Sequence, residues 1–145
     1  MKTLSLLQPW ATLVVIGAKK IETRKWATGY RGTILIHASM GRAGKVLAGQ
    51  APFTKYIDNY EELPFGAIIG EATLVDIVKT EELDIATDRV NKLTLEERAF
   101  GDYTGRYAWL LEDAVLYSAF LPAKGQLGLW EYPDDLYEQE RNRLI

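Results

Sequence analysis

Leu4-Ser5-Leu6-Leu7-Gln8-Pro9-Trp10-Ala11-Thr12-Leu13-Val14-Val15-Ile16-Gly17 is the stretch from which the fold is read. Residues 3–7 read as a short strand that runs directly into a helix. Pro9 suits the first helical position, where its missing N–H costs nothing. Trp10, Leu13 and Val14 recur at i, i+3 and i+4, and Gly17 stands where a glycine stop ends a helix. Val15 and Ile16 make the segment apolar almost all round, which predicts a buried helix.

Outward from this unit, residues 20–25 read as a strand. Thr33-Ile34-Leu35-Ile36-His37-Ala38 is a stronger one, β-rich and preceded by Arg31-Gly32. Residues 41–50 are small and predict a helix; residues 52–63 are mixed, with room for a short one. Pro64-Phe65-Gly66 is a turn. Ala67 to Val78 is the longest strand candidate, with Gly70 a candidate bulge. Residues 80–99 hold helical pieces. In the clearest, Thr94-Leu95-Glu96-Glu97-Arg98, Thr94 caps the helix and Glu97 closes a capping box. Residues 106–112 and 126–132 are strands, each with a tryptophan. The strands and helices do not alternate regularly, which argues against a doubly wound parallel sheet. About six short strands with glycine-marked bends predict an α+β fold, a small mixed β-barrel with helices packed outside. Residues 1–132 form the domain, and 133–145 a charged C-terminal tail.

The 145 residues, 48% hydrophobic and 26% charged, suit one globular domain with one core. Cysteine is absent and His37 is the single histidine. Disulfides, cysteine nucleophiles and zinc held by several imidazoles are therefore excluded, and no metal site or cofactor is expected. No apolar run approaches the roughly 20 residues of a membrane span. The first residues lack a signal-peptide pattern, so the expectation is a cytoplasmic protein without membrane contact. No sequence feature sets an oligomeric state. The net charge of −3 hides an asymmetry. Residues 1–56 carry nine Lys/Arg against Glu22 alone, and residues 57–145 carry eight against 19 acids, a split of +8 and −11. Either one face is basic and takes an anionic partner, or the halves interleave and the charges mix.

The densest polar cluster is Lys19-Lys20-Ile21-Glu22-Thr23-Arg24-Lys25-Trp26. On a strand, Lys20, Glu22 and Arg24 share one face. A lone acid between cations reads as the ion-pair partner that orients them. Arg as a planar fork and Lys as a point charge suit phosphate or a polar base edge. Trp10, Trp26 and Tyr30 are close in sequence, and aromatics beside cations are what single-stranded nucleic acid requires. The plainer reading is a solvated strand face with core aromatics. Glu71 interrupts an apolar strand and must sit at a rim or be paired, with a rim position favoured. His37 reads as a satisfied structural histidine. In Gly101-Asp102-Tyr103-Thr104-Gly105-Arg106-Tyr107, Arg106 or Tyr107 is placed to face a cleft, and Lys124 adds cation density beside the last strand.

Taken together, Gln8-Pro9-Trp10-Ala11, then Gly17-x-Lys19-x-x-Glu22-x-Arg24-x-Trp26, then Arg31-Gly32 and the ending Lys124-Gly125-Gln126-Leu127-Gly128-Leu129-Trp130 resemble the ASCH domain over roughly residues 3–132. The resemblance implies a PUA-like barrel and RNA or other nucleic-acid binding. RNA or a nucleotide-like ligand would lie in a basic cleft lined by Trp10, Lys19, Glu22, Arg24, Tyr107 and Lys124. There Lys19 and Arg24 take phosphate or carbonyl groups, and Glu22 orients them or accepts from a base amino group. The resemblance also implies an alternative, because one small subgroup hydrolyses N4-acetylcytidine. Its lysine matches Lys19, its threonine matches Glu22, and it uses a glutamate on a later helix. A hydrolase of that kind acting here, on a modified nucleoside or on RNA, would use Lys19 to polarise the scissile group and Glu22 as general base. Glu22 cannot be the hydroxyl nucleophile of the subgroup. Another branch resembles a metal-dependent ribonuclease; the first 56 residues offer only Glu22 as a hard oxygen ligand, so further ligands would have to fold in from Glu71 or Asp76. A large apolar patch on the acidic half would instead favour a protein-interaction module. Binding leads, because no nucleophile or metal set is identifiable.

Overall fold

A computed structural model describes residues 1–83 and 93–145. Among these residues six strands form a single mixed sheet: β1 (Lys2–Leu6), β2 (Ile21–Arg24), β3 (Gly32–Ala38), β4 (Ala67–Lys79), β5 (Tyr107–Pro122) and β6 (Leu129–Glu131). Their spatial order is β2-β5-β4-β3-β1-β6, and the sheet curls into a half-barrel with flanking helices. Only β1 and β3 run parallel.

The helix read from Pro9 is α1 (Trp10–Val15), ended by Gly17 at φ +79°. It is apolar all round because it separates two cores. Ala11, Val14 and Val15 join Leu4, Leu6, Ile34, Ile36, Ile69, Leu74 and Trp109 against the sheet. Leu13, on the other side, packs with Ala48, Phe53, Ile57 and Phe100. Gly70 allows the close approach of α1. A Cβ there would stand 2.2 Å from the Val115 carbonyl oxygen and 2.6 Å from Val15 Cγ1. The β4–β5 register shifts between Ile68 and Gly70, which is the expected bulge.

The opposite sheet face carries Leu35, Ile68, Tyr117, Leu121 and Trp130. Residues after Pro133 form a helix, α4 (Asp134–Leu144), whose Tyr137 and Leu144 cover that face. Glu71 is not at a rim but paired. It accepts from Tyr117 Oη at 2.7 Å and from Tyr137 Oη at 3.3 Å.

Several elements differ in extent from their sequence reading. β5 runs past residue 112 through Glu112-Asp113, where Asp113 has φ 51°, because register shifts against β4 absorb the break in alternation. β6 is shorter than expected, and residues 123–128 form a loop. The helix expected over 41–50 is one turn, α2 (Lys45–Ala48), and 52–63 holds two 3-10 turns. Of the pieces within 80–99, a 3-10 turn at Thr80–Glu82 and α3 (Leu95–Ala99) are present, while 84–92 lies outside the described residues.

The two halves interleave in part. Of the five strand contacts, β2–β5, β4–β3 and β1–β6 join the basic half to the acidic half, while β5–β4 and β3–β1 do not. Lys2 pairs with Glu131 at 2.7 Å, Arg31 with Asp76 at 3.6 Å and Lys55 with Glu96 at 3.2 Å. Arg42 and Lys45 both reach Glu61, at 2.9 and 2.8 Å. Much of the +8 is thus neutralised pairwise.

Candidate functional site

The start of α1, strand β2 and residues 100–106 flank an open pocket of about 310 Å³. Trp10, Lys19, Glu22, Arg24, Phe100, Asp102 and Arg106 line it, together with Ser5 and Ser39. Four of the six residues expected in the cleft are therefore together.

Lys19 is 2% exposed. Its ammonium meets three acceptors: the Ile21 carbonyl, Glu97 Oε2 at 3.4 Å and Tyr103 Oη at 3.1 Å. Three N–H donors are thereby matched. Glu97 Oε1 also accepts from Lys20 N at 2.6 Å and Ile21 N at 3.1 Å. Tyr103 donates to Glu97 Oε2 at 2.9 Å. Burial, with the Glu97 carboxylate beside it, pushes the Tyr103 phenol well above its ordinary range, so it stays a donor. This corrects two expectations. Only half of the capping box forms: Thr94 Oγ1 accepts from Glu97 N at 3.0 Å, but the Glu97 carboxylate turns to the buried ammonium. The partner of Lys19 is Glu97, 78 residues away, rather than Glu22.

Glu22 faces the cavity, and its Oε1 accepts from Thr23 N at 2.9 Å. Among the described residues no cation lies within ion-pair distance of it, so it does not orient Lys20 or Arg24 through a salt bridge. Arg24 Nη2 donates to the Ser5 carbonyl at 2.8 Å. Arg24 Nε and Arg106 Nε are buried, and neither has an acceptor among the described residues. The lining is mixed in charge, with Glu22 and Asp102 beside Lys19, Arg24 and Arg106.

Trp10 is half-buried. Its Nε1 donates to the Phe100 carbonyl at 2.6 Å, and its ring meets Phe53 edge-on. Trp26 and Tyr30 pack on the main core, Trp26 edge-on to Trp109 at 4.9 Å. Tyr107 does not line the cavity. It shares the β5 face of Trp109 and Leu111, all three on the main core. Arg106, one residue earlier, is the one that enters. Alternation along 107, 109 and 111 was the signal that could have decided between them. Phe100, Asp102 and Ser5 had no such signal, because only the tertiary fold brings them in.

Lys124 lines a second cavity, of about 490 Å³, that shares Ser5, Arg24 and Ser39 with the first. His37 forms part of its wall. His37 Nε2–H donates to the Ala123 carbonyl at 2.7 Å, which leaves Nδ1 to accept from Ser5 Oγ at 3.0 Å. Burial lowers the His37 pKa, so the ring is neutral near pH 7. Glu71 and Asp76 line neither cavity. The described residues contain no cluster of three or more His, Asp or Glu placed to hold a metal ion. No described helix is long and apolar enough to cross a membrane.

The ASCH domain model matches residues 4–120, most of the chain. The chain belongs to the ASCH domain family. ASCH domains have a PUA-like fold and are associated with RNA binding. Two curated relatives are activating signal cointegrator 1 proteins. The mouse protein is 33% identical over 98% of this chain and 24% of its own length. The human protein is 32% identical over 54% of this chain and 15% of its own length. The chain thus spans about a quarter or less of the relatives it matches. The crystal structure of an ASCH protein from Zymomonas mobilis superposes with a TM-score of 0.61 at 18% identity, covering 99% of this chain and 95% of that one. A point mutant of that protein gives 0.62 at 17% identity, covering 99% and 98%. This likeness supports the half-barrel fold of an ASCH domain.

Proposed function

We propose that this ASCH domain binds a nucleotide of single-stranded RNA or a related nucleic acid in the cavity between α1, β2 and residues 100–106. The observation that carries the reading is the pair Arg24 and Arg106, two arginine side chains that line one pocket. Phosphate oxygens suit the guanidinium fork of each. Glu22 and Asp102 offer acceptors for base amino groups or ribose hydroxyls, and Trp10 and Phe100 supply apolar lining. Lys19 acts here as a strut beneath the site, and Lys124 adds charge from the adjoining cavity. Hydrolysis has less support, since Lys19 has no N–H left for a scissile carbonyl.

The test is anisotropy titration of a labelled oligouridylate across a salt series. Two phosphate contacts should give a log–log slope of about −1.4, at about −0.7 per phosphate on a single strand. Arg24→Ala or Arg106→Ala should each flatten the slope by about 0.7 and weaken binding about tenfold or more. A salt-independent affinity would point to a neutral nucleoside, and no binding at low salt would sink the reading. Turnover of N4-acetylcytidine, abolished by Lys19→Ala, would replace it with a hydrolase.

A further inference from the structure

We propose that the second cavity, under residues 124–128, continues the first as one bipartite site for two adjacent nucleotides, with Arg24 at the phosphodiester between them. The inference rests on the nucleotide-binding reading above. Ser5, Arg24 and Ser39 line both pockets, so the two adjoin at the Arg24 side chain. At about 490 Å³ the second cavity lies within the range of about 300–1,000 Å³ typical of small-ligand sites.

Its chemistry differs from the first in a way that suits a base. Met40 and Leu127 line it and are 67% and 99% exposed, which leaves a thioether and an isobutyl group free to cover an aromatic face. Gln126 and Lys124 supply an amide and an ammonium for a base edge or an outer phosphate. Among the described residues no carboxylate lines it, whereas the first pocket has Glu22 and Asp102.

The wall is braced before any ligand arrives. His37 ties the Ala123 carbonyl to Ser5 Oγ, and Trp130 Nε1 donates to the same Ser5 Oγ at 3.0 Å. The loop lies on this brace through Gly125, where a Cβ would fall 2.8 Å from His37 Cε1 and 3.0 Å from Ser5 Oγ. A rigid wall of this kind lowers the ordering cost of binding. The Ser5–His37 contact is fully used in the brace, so it is read as support.

The test compares UMP with the dinucleotide UpU by NMR titration of the whole chain. UpU should bind about tenfold tighter than UMP, because a second base finds its own contact surface. Met40→Glu and Leu127→Glu, both at exposed positions, should bring the ratio of UpU to UMP affinity close to one. Arg24→Ala should weaken UpU binding most. Shifts on UpU binding should extend to 124–128, and shifts on UMP binding should stay around Trp10 and Arg106. If UpU and UMP bind equally in the wild type, or if the ratio survives both glutamate variants, the bipartite site is wrong and the single-nucleotide reading stands. If neither probe binds, both readings fall.

Discussion

Replacing Glu97 with alanine should be among the most destabilising single changes in this domain. The carboxylate holds one buried ammonium, one buried phenol and two backbone N–H groups that open β2. Alanine strands Lys19, which is 2% exposed and cannot reach water without rearrangement. Breaking a buried pair by removing one partner costs about 3–5 kcal/mol. Two orphaned amides push toward the upper end, and alanine in α3 offsets little, since its helix propensity gain is only tenths of a kcal/mol. At about 3 °C per kcal/mol for a domain of this size, the melting temperature should fall by about 9–15 °C. The assay is urea unfolding followed by the fluorescence of the four tryptophans, with the m-value checked for constancy. The double variant Lys19→Met/Glu97→Leu removes both charges: the amides of Lys20 and Ile21, the Tyr103 hydroxyl and the Ile21 carbonyl each lose a partner, but no buried charge is left unpaired. It should cost less than Glu97→Ala alone. A loss below about 1 kcal/mol for Glu97→Ala, or a double variant as unstable as the two single losses added, would refute the strut. Lys19 would then be free to act on a ligand.

Other predictions concern the rest of the fold. Burial holds the His37 pKa in the folded protein below the roughly 6.5 of the unfolded chain, so the unfolded chain takes up the proton first as pH falls. Stability should therefore be full above about pH 6.5 and decline below it, and His37→Gln should flatten the curve between about pH 7.5 and 5.5. As this is the single histidine, a slope that persists in the variant would assign the effect elsewhere. Glu71→Ala removes the acceptor of Tyr117 and Tyr137 and should cost about 1–3 kcal/mol, with earlier proteolytic release of α4; unchanged cleavage would refute the pinning. Gly70→Ala should cost about 1–3 kcal/mol or more by overpacking against Val15 and Val115, read as a lower urea midpoint, and a neutral result would mean that α1 sits further from the sheet.

The elements of this protein were legible where side-chain periodicity is local. The strand–helix unit around Trp10, the strands at 33–38 and 67–78 with the Gly70 bulge, and the ASCH motifs from Gln8 to Gly32 all depend on neighbours a few residues apart. The meeting of Trp10, Lys19, Glu22 and Arg24 in one cavity followed from the same stretch. What escaped the sequence was every pairing across long separations. A run of lysines and arginines records charge but not which carboxylate lies on the next strand, so the +8 of the first 56 residues gave no warning of its partners at Glu61, Asp76, Glu96, Glu97 and Glu131. Arg106 rather than Tyr107 enters the site because Trp109 and Leu111 commit one face of β5 to the core, and only the sheet order puts the residue before that face beside Arg24. Sequence periodicity sets which side chains share a face; which faces meet is decided by strand order and register, where burying one apolar surface fixes every polar residue attached to it.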